Sequence, residues 1–576
     1  MKLADYVAEF LEKNQVGACF MVSGGAVLHL LDSINHKTNI PIICSQHEQA
    51  AASGADAYSR TSKENIGLVV ATSGPGATNL TTGVSNAFFD SIPMICITGQ
   101  VATFRSKSKN KIRQYGFQET DVVNIFKPIT KLALKLESPQ QIRYILEKAI
   151  YFAKNDRPGP VLIDIPDDLQ RSEINPKKLK GYKGKSNKPR GEKNKLKIFK
   201  EINKYLAESS KPIVILGGGV RISKSENQIT HFLEKLNVPF VTTWAAKDLL
   251  PTNHYLNIGT FGVCGPRAGN WAVSESDLII ILGARLNQMQ VGGKLSEFAP
   301  SAKKIMVDIE KSEIRKFKKT DLKIDLEIVS DLKEFTNKFY IETSNNNHWN
   351  KWVVWLRDEF SVIKEHKNDK VEISAYKFLD KLSAFRNNGS IIVTDAGGNL
   401  CWTMQSFNCK SNQRLISAWN HSPMGFSLPA AIGASIANPK SRITCIIGDG
   451  GLMMCLEELG TITRNNLPID IFIFNNKGHG IQKQTINTWL EGRMIGVDHE
   501  SGLYFPDFQK IANGFEIDYL VINKLEDFSL DLSINKGRPR IFDVMIKPEQ
   551  TIFPMLKFGG NLKNLDDTVQ IPVFTI

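Results

Sequence analysis

Short apolar runs rich in Ile, Val and Leu recur along the whole chain. Many end at Gly-rich turns, and a helical pattern fills the interval before the next. Such runs lack the alternation of a half-solvated strand, so they read as strands buried on both faces. Strand and helix in steady alternation build parallel sheets. The runs fall into three blocks. The first predicts strands at 40–44, 66–72, 93–99 and 160–166, the second at 212–219, 239–244, 277–285 and 304–310, and the third at 389–398, 442–451, 469–478 and 540–546. The expected fold is therefore α/β, with three doubly wound parallel-sheet domains at 1–172, 197–342 and 371–555. A Lys-rich linker (173–196), a polar helical connector (343–370) and an irregular tail (556–576) complete the chain.

A chain of 576 residues exceeds what one core organises. Its eight cysteines form no CxxC and sit mostly in apolar segments, which points to reduced thiols in a cytoplasm rather than disulfides or a zinc site. The first 20 residues read as an amphipathic helix with Leu3, Tyr6, Val7, Phe10 and Leu11 on one face, not as a signal peptide. No apolar run approaches the roughly 18 residues of a membrane span. Much of the +13 net charge lies in "KKLKGYKGKSNKPRGEKNKLKIFK" (177–200), read as an exposed, solvated connector, so the charge identifies no nucleic-acid partner.

Chemistry concentrates in "IIGDGGLMMCLEELGTITRNNLPIDIFIFNNKGHG" (446–480). An apolar run ends in Gly448-Asp449-Gly450-Gly451, a helical pattern follows, and a second apolar run ends in Asn475-Asn476-Lys477-Gly478. Asp449 and Asn476 lie one βαβ unit apart, so both can reach the same sheet edge. A carboxylate, an amide oxygen and free carbonyls suit a small hard cation such as Mg²⁺, and bare glycine N–H groups at a helix N-terminus suit a diphosphate. There is no Walker A sequence and no GxGxxG opens a block, which argues against nucleotide hydrolysis and an ordinary Rossmann dehydrogenase. Upstream, "CSQHEQAAASGADAYSR" (44–60) puts Glu48 before a run of Ala, Ser and Gly. Taken alone, Glu48 reads as a helix-dipole partner.

GDG followed by NN at this interval resembles the diphosphate–metal motif of thiamine-diphosphate enzymes. Nearly the whole chain resembles the acetolactate (acetohydroxyacid) synthase group, through "SGGAVLHLLDSI" (23–34), "HEQAAASGADAYSR" (47–60), "ATSGPGATNLTTGVSNAFFDSIPMICITGQV" (71–101), "GFQETDVV" (116–123), "GPVLIDIPDDLQ" (159–170), "GTFGVCGPRAGNWAVSESDLIIILGAR" (259–285) and "MGFSLPAAIGA" (424–434). The resemblance implies pyrimidine-binding, central and diphosphate-binding domains in that order. It makes Glu48 the carboxylate that engages the coenzyme's aminopyrimidine ring and promotes its activation, with the small residues behind it allowing tight packing around the ring. It places Gly25, Phe117 and Gln118 at the reacting centre and Asn79 among the cofactor contacts. It gives Met424 the role of a prop for the bent coenzyme and the Ser422 carbonyl that of acceptor from its amine. Asp449, Asn476 and the Gly478 carbonyl become the Mg²⁺ ligands. Gly397, Gly398, Asn399, Gly448, Gly450, Gly451, Gly480 and Ile481 fall at contacts to the bound coenzyme.

The implied activity is a carboligase that decarboxylates pyruvate, a 2-keto acid, and transfers the acyl unit to a carbonyl acceptor. The expected assembly is a homodimer or homotetramer with its sites between subunits, and a regulatory subunit is compatible with the resemblance. FAD in the central domain is compatible with "LGGGV" (216–220), "GVCG" (262–265) and "GAR" (283–285), which also serve as plain α/β turns. The pattern departs from the family in three places. Gly398 and Asn399 stand where the family carries Gln and His, leaving fewer side-chain donors. Thr485 stands where biosynthetic members carry Trp, and Met289 or Gln290 near the position of a carboxylate-binding Arg. The last two changes leave open an aldehyde or keto-sugar-nucleotide acceptor, and simple decarboxylation or oxidation stands as a further alternative.

Overall fold

The computed structural model describes residues 1–107, 112–184, 195–338, 347–528, 537–557, 559–563, 565, 569 and 571–574. Among these, 18 strands form three six-stranded sheets, and every pairing within them is parallel. The first sheet holds β1 (Val16–Met21), β2 (Ile42–Cys44), β3 (Ile66–Ala71), β4 (Met94–Gln100), β5 (Leu132–Lys135) and β6 (Pro160–Pro166) in the order β2-β1-β3-β4-β6-β5. The second holds β7 (Pro212–Leu216), β8 (Phe240–Thr242), β9 (Asn257–Thr260), β10 (Leu278–Leu282), β11 (Lys303–Asp308) and β12 (Leu326–Val329) in the order β12-β11-β10-β7-β8-β9. The third holds β13 (Ile391–Thr394), β14 (Arg414–Ile416), β15 (Ile443–Gly448), β16 (Ile469–Asn475), β17 (Asp518–Ile522) and β18 (Arg540–Met545) in the order β14-β13-β15-β16-β18-β17. The first and third sheets thus share one strand order. In each sheet the chain leaves in opposite directions from one pair of neighbours: β1/β3, β7/β10 and β13/β15. Ligands of open α/β sheets bind at such switch points.

All twelve expected strands are present, though several stop short of their Gly-rich ends, which become loops or helix starts. Of the six strands not expected, five are sheet edges: β5, β9, β12, β14 and β17. The N-terminal helix is shorter than expected. It covers Leu3–Lys13 and ends where Gln15 takes φ +65°, after which β1 begins. Part of the Lys-rich stretch is also not a free connector. Residues 185–194 lie outside the described residues, but Lys195–Glu208 is a helix that buries Ile202 and Leu206 against the central sheet. The connector helix Asn347–Glu359 and the tail pack on that domain too, where Trp349, Val353, Leu356, Leu556, Leu562 and Leu565 enter one core.

The Ala/Ser/Gly stretch after Glu48 forms the helix Glu48–Thr61, buried along most of its length. Its partner is the helix Ser427–Ala437 of the third domain, and at their crossing a Cβ on Gly433 would fall 2.0 Å from the carbonyl oxygen of Gly54. The small residues therefore bring two helix backbones together across domains, which corrects the expectation that they pack around a coenzyme ring. Beside this contact Arg60 lies buried, with Nε 2.9 Å from Asp56 Oδ1, Nη2 2.9 Å from Asp90 Oδ2, and Nη1 donating to the Ser417 carbonyl at 3.0 Å. The guanidinium offsets two buried carboxylates and pins the third-domain segment that leads to Ser422.

Candidate active site

Two clusters of polar groups and bare backbone form at the carboxyl ends of the first and third sheets. In the first domain, Glu48 opens its helix behind His47, whose Nδ1 accepts from the Gln49 amide at 3.1 Å. Glu48 Oε2 accepts from Asn79 Nδ2 at 2.9 Å, and Oε1 lies 3.2 Å from where Gly76 would carry a Cβ. Gly76 also faces Thr72, which accepts from the Ala26 amide at 3.3 Å and abuts Gly24, so the turn that begins at Gly25 joins the cluster. Gln118, at φ +64°, packs on Gly74 of the same loop, and Phe117 stands 86 % exposed. The loop at 72–79 therefore touches Glu48, the turn at Gly25 and Gln118, with Phe117 next to Gln118 in the chain.

The two residues before Glu48 are held from the third domain. Glu458, fully buried, accepts from the Gln46 and His47 amides at 2.7 and 3.1 Å and from Thr461 Oγ1 at 2.7 Å. Burial raises its carboxyl above the ordinary range against these three donors.

In the third domain the switch point between β13 and β15 holds the other cluster. Gly397, at φ +87°, precedes the helix Gly398–Ser406, and Ile481 Cγ2 lies 3.8 Å from where a Cβ on Gly397 would be. The same construction puts Asn399 Oδ1 3.1 Å from Gly448, and His479 Nε2 and Met424 Cε 2.6 and 3.2 Å from Gly450. Gly451 is closed by Asp395, and Gly480 by Asn476. Asp449 is buried; its Oδ1 accepts from the Gly450 amide at 2.7 Å and its Oδ2 from the Gly478 amide at 3.1 Å. Burial pushes its carboxyl up to about 7 against the pull of these amides, and a cation bound beside it would favour the charged form. Among the described residues no three His, Cys, Asp or Glu side chains gather as a metal cage. One carboxylate with amide and carbonyl oxygens beside a phosphate cradle fits Mg²⁺, which keeps water and phosphate among its ligands. Ser422 sits exposed at φ +51° two residues before Met424.

Sequence reasoning missed two groups here. Asp395 accepts from the Gly425 amide at 3.0 Å and the Ser427 amide at 3.0 Å, fixing the Met424 loop beside Gly451. The signal was the carboxylate that precedes the glycines in "TDAGG". His479 is the second: its ring lies over Gly450, and burial, then the Lys483 charge, holds it below its ordinary pKa.

The β7/β10 switch point of the central domain borders a cavity of about 140 Å³ lined by Gly218, Gly219, Gly283, Arg285 and Asp308 and reached by Arg157 and Trp419 of the flanking domains. A Cβ on Gly217 would fall 2.1 Å from the Gly283 carbonyl oxygen, so bare backbone is required where the strand ends meet. Of the three glycine stretches expected to bear on FAD, 216–220 and 283–285 border this cavity and "GVCG" does not. There Cys264 Sγ lies 3.1 Å from Cys401 Sγ of the third domain. All eight cysteines are free thiols, seven of them buried and Cys44 exposed.

Comparison with known proteins agrees with this arrangement. Residues 1–125 match the thiamine pyrophosphate enzyme N-terminal TPP binding domain, 199–339 the central domain and 395–544 the C-terminal TPP binding domain. These define a thiamine-diphosphate enzyme. The chain is 34 % identical to a probable acetolactate synthase large subunit of Methanococcus aeolicus over 99 % of its own length and 96 % of the relative's. It is 31 % identical to the acetolactate synthase isozyme 1 large subunit of Escherichia coli (97 % and 96 % covered) and 32 % identical to the acetolactate synthase large subunit of Lactococcus lactis (96 % and 94 %). The chain belongs to the acetolactate synthase large-subunit family, and it is a thiamine-diphosphate-dependent enzyme of that type. None of these relatives supports the expectation of a changed acceptor. No helix among the described residues is long and apolar enough to cross a membrane.

Proposed function

We propose that the chain joins two 2-keto acids, with pyruvate as donor, in a cytoplasm. The observation that carries this reading is the pair of clusters at equivalent switch points: a lone carboxylate, Glu48, on the first sheet, and an acid–amide–carbonyl trio beside bare glycines on the third. Asp449, Asn476 and the Gly478 carbonyl would hold Mg²⁺, and Gly397, Gly398, Asn399, Gly448, Gly450, Gly451, Gly480 and Ile481 would border the diphosphate. When bound, thiamine diphosphate supplies a nucleophilic carbon that accepts the two-carbon unit left as a 2-keto acid loses CO₂. Asn79 orients the Glu48 carboxylate by engaging Oε2 and leaves Oε1 as the atom that exchanges a proton with the coenzyme's ring. Met424, on the loop held through Asp395, would support the bound coenzyme.

Among the described residues Glu48 hydrogen-bonds only within its own domain, so the reading has it meet the Ser422–Met424 loop of a second copy. A dimer of this kind covers Phe117 and the Ser422 loop, closes Gly25 and Gln118 over the reacting centre, and can pair into a tetramer or take a regulatory subunit. The proposed domains are 1–172, 197–342 and 371–555. The central cavity, with bare glycines and a strand-end Asp308, suits the diphosphate and ribose of FAD.

Purified protein supplied with thiamine diphosphate, Mg²⁺ and pyruvate should form acetolactate, and Glu48→Ala and Asp449→Ala should each abolish it. Mixing the two inactive variants and letting subunits exchange should restore part of the activity, because each mixed dimer then holds one intact pair of clusters. Acetaldehyde or acetate as the sole product, or no restoration on mixing, would refute the reading.

A further inference from the structure

Most polar side chains around the diphosphate cradle are already engaged. Asn399 Nδ2 donates to the Ala396 carbonyl at 2.9 Å, the Asp395 carboxylate takes two amides, and Lys483 Nζ is ion-paired with Asp498 Oδ2 at 3.0 Å. His479 is different. Neither of its ring nitrogens makes a hydrogen bond among the described residues, yet its ring edge lies on Gly450, with Cδ2 and Nε2 2.5 and 2.6 Å from where a Cβ would stand. Its position is fixed from behind, since its amide donates to the Val497 carbonyl at 2.8 Å and Phe505 meets the ring edge-on at 6.4 Å. A half-buried donor without a partner is therefore aimed at the bare backbone between Gly448 and Gly451, on the side where Met424 Cε also arrives.

We propose that His479 is a side-chain ligand of the coenzyme's diphosphate, donating a ring N–H to a phosphate oxygen above Gly450. This rests on the coenzyme reading given above. The cradle otherwise offers glycine amides, which hold a phosphate by backbone alone; His479 adds a donor that recognises the phosphate and not the thiamine rings. A glycine at 450 is then required twice over, for the approach of the phosphate and for that of the imidazole.

The test is equilibrium binding to the full chain with Mg²⁺, followed by quenching of tryptophan fluorescence, with thiamine diphosphate and thiamine as separate probes. A hydrogen bond to a charged group predicts that His479→Leu binds thiamine diphosphate about ten-fold more weakly. Thiamine affinity and the urea unfolding midpoint should be unchanged, and His479→Gln, which keeps an N–H, should recover part of the loss. Equal weakening for both probes would mean that the ring only packs on the coenzyme, and no weakening for either that it makes no contact; each result overturns the proposal. A wild-type chain that binds no thiamine diphosphate would overturn the coenzyme reading along with it, an outcome distinct from both.

Discussion

Replacing Gly433 by Ala tests the contact on which Glu48 is mounted. The added methyl would lie 2.0 Å from the Gly54 carbonyl oxygen, a backbone atom inside a buried helix. Carbon and carbonyl oxygen approach no closer than about 3.3 Å in comfortable packing, so the two helices must part by about 1.3 Å. Every residue from Ser427 to Ser435 is buried, so parting opens gaps along the whole seam and no solvent-facing side absorbs the strain. Overpacking of this kind costs about 1–3 kcal/mol. Glu48 heads the displaced helix, and a misplacement of about 1 Å reduces catalysis up to about 100-fold. The assay pairs the urea midpoint from circular dichroism with the rate of acetolactate formation. Gly433→Ala should lower both, Gly433→Val more so. Gly54→Ala should do less, because its methyl meets the edge of the Phe20 ring at 2.8 Å rather than a backbone atom. A Gly433→Ala enzyme with an unchanged midpoint and full activity would refute the argument.

Other substitutions probe the surroundings. Arg60→Met leaves Asp56 and Asp90 buried without their cation and should destabilise the chain by about 3–5 kcal/mol, read as a lowered urea midpoint. Glu458→Ala strips the Gln46 and His47 amides of their acceptor, a penalty of about 1–3 kcal/mol for each. Turnover should fall because the segment leading into Glu48 loosens; wild-type rates would deny Glu458 that positioning role. Burial pushes Asp164 up to about 6, above the roughly 3.9 of an unfolded Asp, so across about pH 4 to 6 the native state keeps a proton that the unfolded chain has lost and stability falls as pH rises. Asp164→Asn cannot titrate, so its stability should improve relative to wild type through that window; parallel curves would contradict this.

The interior of each sheet was legible because those strands are buried on both faces and carry unbroken apolar runs. Five of the six edges were not: Leu132–Lys135 is half-buried throughout and Asp518–Ile522 buries only Ile522, so neither carries the signal of its neighbours. Val16–Met21 was hidden for another reason, since the helical pattern before it gives no sign of the reversal that Gln15 makes with a positive φ. At the candidate site, spacing and resemblance single out Asp449, Asn476 and Glu48, but they give no sign of the packing partner of the small residues behind Glu48. Their partner, Gly433, lies far along the chain, and only the folded arrangement brings the two glycines face to face. Asp395 escaped notice because a carboxylate before a glycine turn looks like turn chemistry until its two amide donors are seen.

The tail returns to the central domain, where Leu556 donates its amide to the Val263 carbonyl and Phe574 meets the rings of Trp349 and Trp352. During synthesis the middle module therefore cannot finish closing until residues 556–574 have left the ribosome, long after its own sheet has been made. Trimming the carboxyl terminus should harm the middle of the protein before it harms the end, and isolating residues 197–342 as a fragment would leave the hydrophobic floor of that module bare.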